Sequence, residues 1–212
     1  DVDYSPQDKA HPPKPRSPYG VSKVASRYLV KVYRESYGLF AVHGILYNHE
    51  GIRRGEEFVT RKITKGVARI SRAMDQGKEF DPIPLGNINS KRDWSDSEDF
   101  VDGVWKMLNQ ETPKEYILSS NETHTIKEFI EVAFSAAGIE GRWIGEDLEE
   151  KYVCSLDKDP LVVINEDFYR PCEVDILYGD SNPIREELGW KPEYSFKDLV
   201  SRMVRHDIQI KG

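Results

Sequence analysis

Residues 18–50 read PYGVSKVASRYLVKVYRESYGLFAVHGILYNHE, and this stretch decides the fold. Its first part places apolar residues at steps of three and four, the spacing of an amphipathic helix. These residues are Val21, Val24, Ala25, Tyr28, Leu29, Val32 and Tyr33. Pro18 near the start and Gly38 past the end are the expected boundary residues of that helix. Nearly every position over 39–47 is apolar, which predicts a buried strand before a polar loop over 48–55.

Helical and strand patterns alternate along the following residues. The sequence predicts a helix over 57–75, a strand over 83–86 and a polar turn over 91–94. The next predicted helix is capped by Ser95 or Asp96, and its core face consists of Phe100, Val101, Val104, Trp105 and Leu108. A strand over 116–118 and a helix that starts at Thr125 and ends at Gly138 follow. Residues 141–167 look irregular, and helices start again at Asn182 and Ser195. Such alternation is typical of βαβ units, so we expect part of a doubly wound parallel sheet plus a smaller α/β lobe.

The composition narrows the class of protein. The 212 residues carry a net charge of −7, which argues against a binder of nucleic acid or anionic membranes. No apolar run approaches the roughly 18 residues of a membrane span. Cys154 and Cys172 form no CxxC pair, and no histidine pair has metal-ligand spacing. We therefore expect no metal site and no disulfide framework, but reduced thiols in a cytoplasmic protein.

Tyr19 and Lys23 form the one pair with an obvious chemistry. Four residues apart on a helix, they project from the same face about one turn apart. A nearby ammonium group favours the phenolate, which brings the tyrosine pKa of about 10 closer to neutrality and makes the side chain usable as a base. The alternative is a solvated tyrosine and lysine on an amphipathic helix, because this spacing occurs by chance in many proteins.

Short motifs in a fixed order extend over nearly the whole chain. They are Ser17-Pro18-Tyr19-Gly20-Val21-Ser22-Lys23 through Tyr37-Gly38, Gly44-Ile45-Leu46-Tyr47-Asn48-His49-Glu50, Arg53-Arg54-Gly55, Phe58-Val59-Thr60-Arg61-Lys62-Ile63, Leu85-Gly86-Asn87, Lys91-Arg92-Asp93-Trp94, Tyr169-Arg170-Pro171 with Glu173-Val174-Asp175, and Leu188-Gly189-Trp190-Lys191-Pro192. Together they resemble GDP-mannose 4,6-dehydratases, a family of extended short-chain dehydrogenases/reductases. The sequence departs from the family's pattern at Gly51-Ile52, where Ser-Pro is usual, and matches it weakly over 156–166.

The resemblance implies a lyase that uses NADP to convert GDP-mannose to GDP-4-keto-6-deoxymannose, the first step toward GDP-deoxyhexoses such as GDP-fucose. It implies that the sugar is oxidised at C4, that water is lost across C5 and C6, and that the hydride returns to C6. Tyr19 would deprotonate the C4 hydroxyl, and Lys23 would hold the nicotinamide ribose and tune Tyr19. His49 and Arg54 match further cofactor positions of the family. The alternative for His49 is a loop histidine whose ring is satisfied by backbone.

The resemblance also implies a set of substrate contacts. Asn48, Arg92 and Arg170 match contacts to the diphosphate, and Glu173 would accept hydrogen bonds from a ribose. The guanine end would meet Lys62 and the backbone near Val59, and Gly86 falls on a further substrate position. The alternative for the helix carrying Lys62 is a solvated basic face, which we expect for most of its cations: Arg61, Lys65, Arg69 and Arg72.

The resemblance implies two parts with different tasks. Residues 1–57 with part of 86–120 would form the back half of an NADP-binding, Rossmann-like domain, its C-terminal part. Residues 58–85 and 121–212 would form mainly the nucleotide-sugar-binding lobe. The family's glycine-rich turn and its catalytic Thr (or Ser) and Glu are expected upstream of Asp1. The 212 residues alone are therefore expected to be inactive and to expose a sheet edge.

Two other functions stay open at this stage. One is a different nucleotide-sugar enzyme of the same superfamily, an epimerase or a keto-sugar reductase, which does not need the upstream Glu. The other is a non-catalytic subunit that retains a sugar-nucleotide pocket. The resemblance further implies a homodimer or homotetramer that pairs through the Tyr19 helix and its neighbour.

Overall fold

The computed structural model describes residues 1–156, 158–169, 174 and 176–210 of the chain. Its helices are α1 (Pro18–Tyr37), α2 (Val59–Asp75), α3 (Ser97–Leu108), α4 (Ile126–Ala136), α5 (Asn182–Leu188) and α6 (Phe196–Gln209). Its strands are β1 (His43–Leu46), β2 (Asn48–Glu50), β3 (Ile83–Leu85), β4 (Lys91–Arg92), β5 (Trp94–Asp96), β6 (Glu115–Leu118), β7 (His124–Thr125), β8 (Gly141–Ile144), β9 (Lys151–Cys154) and β10 (Pro160–Ile164). The expected α/β fold is confirmed. Among the described helices, none has the length and apolar character needed to cross a membrane.

The chain divides into two compact units. Unit 1 comprises Asp1–His49, Lys91–Thr123 and Val174–Tyr194, and unit 2 comprises Glu50–Ser90, His124–Glu173 and Ser195–Gly212. Residues 50–57 pack with unit 2 and residues 174–194 with unit 1. The division expected from the sequence places both of these segments on the opposite side.

Local capping residues set the helix boundaries, as the sequence predicts. Asp96 caps α3 by accepting a hydrogen bond from the Glu98 amide. A reciprocal pair of side-chain and backbone hydrogen bonds, the capping box, starts α4 at Thr125 and α6 at Ser195. Gly38 ends α1 in the left-handed conformation, with φ of 64°.

Helix α1 of unit 1 contacts the parallel pair of strands β1 and β6 but buries none of its own residues. Its contact with the pair includes a bidentate ion pair, in which Arg27 donates from Nε and Nη2 to the Glu115 carboxylate at 2.9 and 2.6 Å. The prediction of a buried strand over 39–47 is wrong within the described residues. Residues Tyr28, Leu29, Val32, Tyr33, Leu39, Phe40 and Leu46 are exposed. Strand β1 pairs only with β6 among the described strands, which leaves the expected free edge.

The core of unit 1 forms around Trp190. It joins Phe100, Met107, Tyr116, Leu118, Ile184 and Trp190. The indole N–H of Trp190 donates to the carbonyl of Asp99 at 2.8 Å, which satisfies the one polar group of this buried ring. The predicted core face of α3 is partly wrong: Phe100 is buried, but Trp105 is 66% exposed. Gly103 and Met107 occupy the buried face instead.

Unit 2 contains a mixed sheet where the sequence predicts irregular chain. The strand order is β3-β10-β9-β8. Strands β3 and β10 are parallel, whereas β9 runs antiparallel to both of its neighbours. Cys154 is a buried free thiol in β9, and Cys172 lies outside the described residues.

Helix α6 packs against both α2 and α4 in unit 2. The buried face of α2 includes Ile63, Val67 and Ile70, which are fully buried. The facing residues of α4 and α6 complete an apolar interior: Phe129, Ile130, Ala133, Phe134, Leu199, Val200, Met203 and Val204. Burial of these side chains is the main favourable term for the packing of the three helices.

The basic face of α2 is not simply solvated. Arg61 is only 8% exposed and its Nη2 lies 2.9 Å from Oδ1 of Asp207 on α6. The same carboxylate accepts a hydrogen bond from Thr64 at 2.7 Å. Arg72 donates to the last carbonyls of α6, including that of Asp207. The expectation of a solvated face is therefore wrong for Arg61, because a charge removed from water needs a counter-charge.

Replacing Asp207 by Ala tests this buried ion pair. The change leaves the Arg61 guanidinium buried without a counter-charge, so we expect the free energy of unfolding to fall by about 3–5 kcal/mol. Urea denaturation measures this difference. Lys65→Ala is the matched control, because Lys65 and its partner Glu56 are exposed and such pairs contribute at most about 1 kcal/mol. Equal losses in the two variants would contradict the role of Asp207.

Candidate active site

Tyr19 and Lys23 lie together on the first two turns of α1. Ser17 caps this helix end by accepting a hydrogen bond from the Gly20 amide at 3.0 Å. Lys23 Nζ lies 5.3 Å from the centre of the Tyr19 ring. Tyr19 is 71% exposed, so its hydroxyl is accessible to a bound molecule. The structure thus places the phenol and the ammonium on the same face of α1, as the helical spacing predicts.

Asn48 and His49 lie in strand β2, where the sequence predicts a loop. The backbone carbonyl of Tyr47 lies 2.9 Å from His49 Nδ1. A carbonyl oxygen only accepts hydrogen bonds, so Nδ1 carries a proton and Nε2 is the nitrogen left for other partners. The ring packs against Phe100, with 5.2 Å between ring centres. Backbone therefore satisfies one side of this histidine, and the other side remains able to bind a ligand.

Arg92 lies in strand β4, next to a fully buried carboxylate. The sequence predicts a polar turn here, but Asp93 is 0% exposed and Trp94 begins strand β5. The Asp93 carboxylate accepts hydrogen bonds from the amide and hydroxyl of Ser120, both at 2.7 Å. Burial outweighs these bonds and raises the pKa of Asp93 to about 6. The turn prediction is wrong because it treats this carboxylate as solvated.

Two side chains of unit 2 contact the Arg54 guanidinium. The centre of its guanidinium lies 3.4 Å from the centre of the Phe58 ring. Its Nε lies 3.0 Å from Oε2 of Glu50. A planar cation on an aromatic face beside a carboxylate has a restricted orientation. The structure thus presents one of the two predicted cofactor-binding cations in a defined position.

Val59, Lys62 and Gly86 lie in unit 2, where Lys62 and Gly86 both contact Phe168. Val59 begins α2, and Lys62 Nζ lies 3.5 Å from the centre of the Phe168 ring. Burial of this ammonium lowers the pKa of Lys62. A Cβ on Gly86 would lie 2.4 Å from the Phe168 carbonyl oxygen, so only glycine allows the two backbones to approach this closely. Arg170 and Glu173 lie outside the described residues.

Comparison with known proteins decides the family. The family model described as GDP-mannose 4,6 dehydratase matches residues 1–203. The chain belongs to the GDP-mannose 4,6-dehydratase family. It is 42% identical over 206 residues to the GDP-mannose 4,6 dehydratase of Drosophila melanogaster, covering 97% of this chain and 51% of that protein. It is 39% identical over 205 residues to the Homo sapiens protein, covering 97% and 54%.

The chain therefore spans about half the length of the curated family members it matches. Among solved structures it is similar to RMD from Pseudomonas aeruginosa complexed with NADPH, with a TM-score of 0.77 and 20% identity over 97% of this chain and 61% of that one. It is also similar to a Thermus thermophilus UDP-glucose 4-epimerase complex with NAD, with a TM-score of 0.71 and 22% identity over 95% and 57%. At these identities the two structures support the fold assignment alone.

Sequence reasoning missed several residues that contact predicted site residues or directly follow them in the chain. They are Glu50, Phe58, Thr60, Asp93 and Phe168. The first four belong to motifs that carry the family resemblance, and Phe168 directly precedes one of them. Their motif positions were visible in the sequence, but their burial and contacts depend on tertiary packing. Among the described residues no group of three or more His, Cys, Asp or Glu side chains could hold a metal ion.

Gly86→Ala tests the close approach of Phe168. The added methyl group would overlap the Phe168 carbonyl, so the segment after β10 must move. We expect the Asn165 amide, which donates to the Leu85 carbonyl at 2.7 Å, to exchange hydrogen at least about tenfold faster. Hydrogen–deuterium exchange with mass spectrometry measures this change. Asn89→Ala, at an exposed position of the same loop, is the control, and unchanged exchange in Gly86→Ala would contradict the argument.

Proposed function

We propose that the full-length protein converts GDP-mannose to GDP-4-keto-6-deoxymannose with NADP as cofactor. Family membership supports this reaction, and one observation of the structure carries it: the exposed Tyr19 side chain with the Lys23 ammonium 5.3 Å from its ring centre. When bound, the nicotinamide supplies the acceptor and donor of the hydride. The chain's own residues bind the two molecules and move the proton at the C4 hydroxyl.

Tyr19 is the proposed base at that hydroxyl. As the phenolate it takes the proton from the C4 oxygen, and the ammonium of Lys23 stabilises the negative charge on the phenolate. The helix fixes the spacing, because residues four apart lie one turn from each other. Lys23 also donates hydrogen bonds to the ribose next to the nicotinamide in this proposal.

His49 and Arg54 are the proposed cofactor contacts besides Tyr19 and Lys23. Their donor sets fit a phosphorylated dinucleotide. His49 can offer Nε2 to a ribose hydroxyl, since Nδ1 is engaged by the Tyr47 carbonyl. Arg54 offers a guanidinium, the side chain best suited to binding phosphate. The choice of NADP over NAD belongs to this proposal and rests on the family resemblance.

The proposed substrate contacts follow the same resemblance. Asn48, Arg92 and Arg170 bind the diphosphate, and Glu173 binds a ribose hydroxyl. Lys62, with the Val59 backbone, faces the guanine end. For Gly86 the structure supports an indirect part: its missing side chain makes room for the Phe168 backbone, two residues before Arg170.

A homodimer or homotetramer and a cytoplasmic location complete the proposal. Apolar residues on α1 are exposed in the single chain, among them Tyr28, Leu29 and Val32. A second copy would remove such apolar surface from water. The free buried thiol of Cys154 is compatible with a reducing compartment.

The activity and the role of Tyr19 can be tested together. Full-length protein with GDP-mannose and a catalytic amount of NADP is expected to form a 4-keto-6-deoxy sugar nucleotide, detected by NMR. Tyr19→Phe is expected to lower kcat about 100-fold to 10,000-fold, because it removes only the proton-transferring oxygen. Tyr19 is exposed, so we expect the substitution to leave the fold unchanged.

Tyr37→Phe is the matched control, since Tyr37 is exposed at the other end of α1. It should leave kcat unchanged. A normal kcat in Tyr19→Phe would overturn the role of Tyr19. An epimerised or simply reduced sugar nucleotide in place of the 4-keto-6-deoxy product would overturn the proposed reaction.

A further inference from the structure

Glu50 is a buried carboxylate to which neither the sequence motifs nor the proposed function assign a role. It is 2% exposed at the end of β2. Burial raises the pKa of Glu50, while the Thr60 hydroxyl and the Arg54 guanidinium act in the opposite direction. A buried carboxylate costs several kcal/mol unless it is paired, so its partners need an explanation.

The partners of Glu50 meet at a single carboxylate oxygen. Thr60 donates a hydrogen bond to Oε2 at 2.6 Å from the first turn of α2. Arg54 Nε lies 3.0 Å from the same oxygen. Within the described residues Nε has no partner at hydrogen-bonding geometry, so this contact is an ion pair without a directed hydrogen bond. Glu50 thereby joins Arg54 to the start of a packed helix.

The loop that carries Arg54 is held at several points. The Arg54 amide donates to the Gly51 carbonyl at 3.0 Å and the Phe58 amide to the Gly55 carbonyl at 3.3 Å. The buried Arg61 side chain donates to the carbonyl of Ile52. The backbone of the loop is therefore fixed to α2 independently of the Arg54 side chain.

The Arg54 side chain itself is restrained by two groups. Phe58 covers one face of the guanidinium, at 3.4 Å between centres, and Glu50 faces its Nε edge. The described residues provide no hydrogen-bond acceptor to its terminal Nη atoms, and the side chain is 24% exposed. These two nitrogens are the ones with which a guanidinium binds an anion side by side.

We propose that Glu50 is a positioning residue: its carboxylate, together with the Phe58 ring, holds the Arg54 guanidinium so that the two terminal nitrogens face an anionic cofactor. The inference rests on the proposed function, in which Arg54 binds NADP. Preorganisation of this kind strengthens binding because less side-chain freedom is lost when the ligand arrives. Glu50 itself does not contact the ligand.

Glu50→Gln tests this role, because the amide keeps the shape and can still accept the Thr60 hydrogen bond. The dissociation constant for NADPH is measured by fluorescence titration of full-length protein stripped of nucleotide. We expect Glu50→Gln to raise it about tenfold, with kcat at saturating cofactor within about twofold of the native value. Glu56→Gln is the control, since Glu56 also pairs with a cation, Lys65, but at the surface.

A double-mutant cycle separates positioning from a general structural effect. In an Arg54→Ala background, Glu50→Gln should change NADPH affinity less than about twofold, because the group it orients is gone. Phe58→Leu, at an exposed position, gives a second variant in case Glu50→Gln folds poorly, and it should also weaken NADPH binding. Thermal unfolding monitors the fold of each variant.

The outcomes are distinct. Native protein that fails to bind NADPH overturns the proposed function and this inference with it. Native protein that binds NADPH, with unchanged affinity in Glu50→Gln or in Phe58→Leu, overturns the inference alone. A tenfold loss that persists in the Arg54→Ala background also overturns it, since Glu50 would then act by another route.

Discussion

A charge that is withdrawn from water must be paired, and this requirement shapes the start of helix α2. Arg61 is buried there and lies 2.9 Å from the carboxylate of Asp207. In the same turn Thr60 binds the buried Glu50 at 2.6 Å. Removing either carboxylate would leave its buried partner, the Arg61 guanidinium or the Thr60 hydroxyl, without a counter-charge or hydrogen-bond acceptor and out of reach of water. The two contacts fix the first turn of α2 against α6 and against the end of β2.

The first turn of α2 determines where the proposed binding residues of unit 2 lie. Lys62 directly follows Arg61 in the chain, and its Nζ lies 3.5 Å from the centre of the Phe168 ring. Arg54 contacts Glu50, the carboxylate that Thr60 holds. In unit 1 the positions of Tyr19 and Lys23 depend on fewer contacts. Ser17 caps α1, the helix sets the Tyr19–Lys23 spacing, and no buried residue of α1 is involved.

Sequence alone predicts those features whose cause is local. The caps at Thr125 and Ser195 depend on residues within one helical turn, and the Tyr19–Lys23 pairing depends on helical periodicity. Strand β10 was missed because its burial comes from pairing with a distant segment, as with Val162 beside Ile83. The burial of Glu50 and Asp93 was missed for the same reason, since tertiary packing decides whether a carboxylate reaches solvent.

The fate of the hydrogen at C4 of the sugar tests the proposed reaction most directly. Full-length protein is incubated with GDP-mannose deuterated at C4 and a catalytic amount of NADP, and the product is examined by NMR and mass spectrometry. We predict GDP-4-keto-6-deoxymannose with the deuterium retained at C6. A product with only solvent hydrogen at C6, or a sugar nucleotide that keeps its C6 hydroxyl, would contradict it.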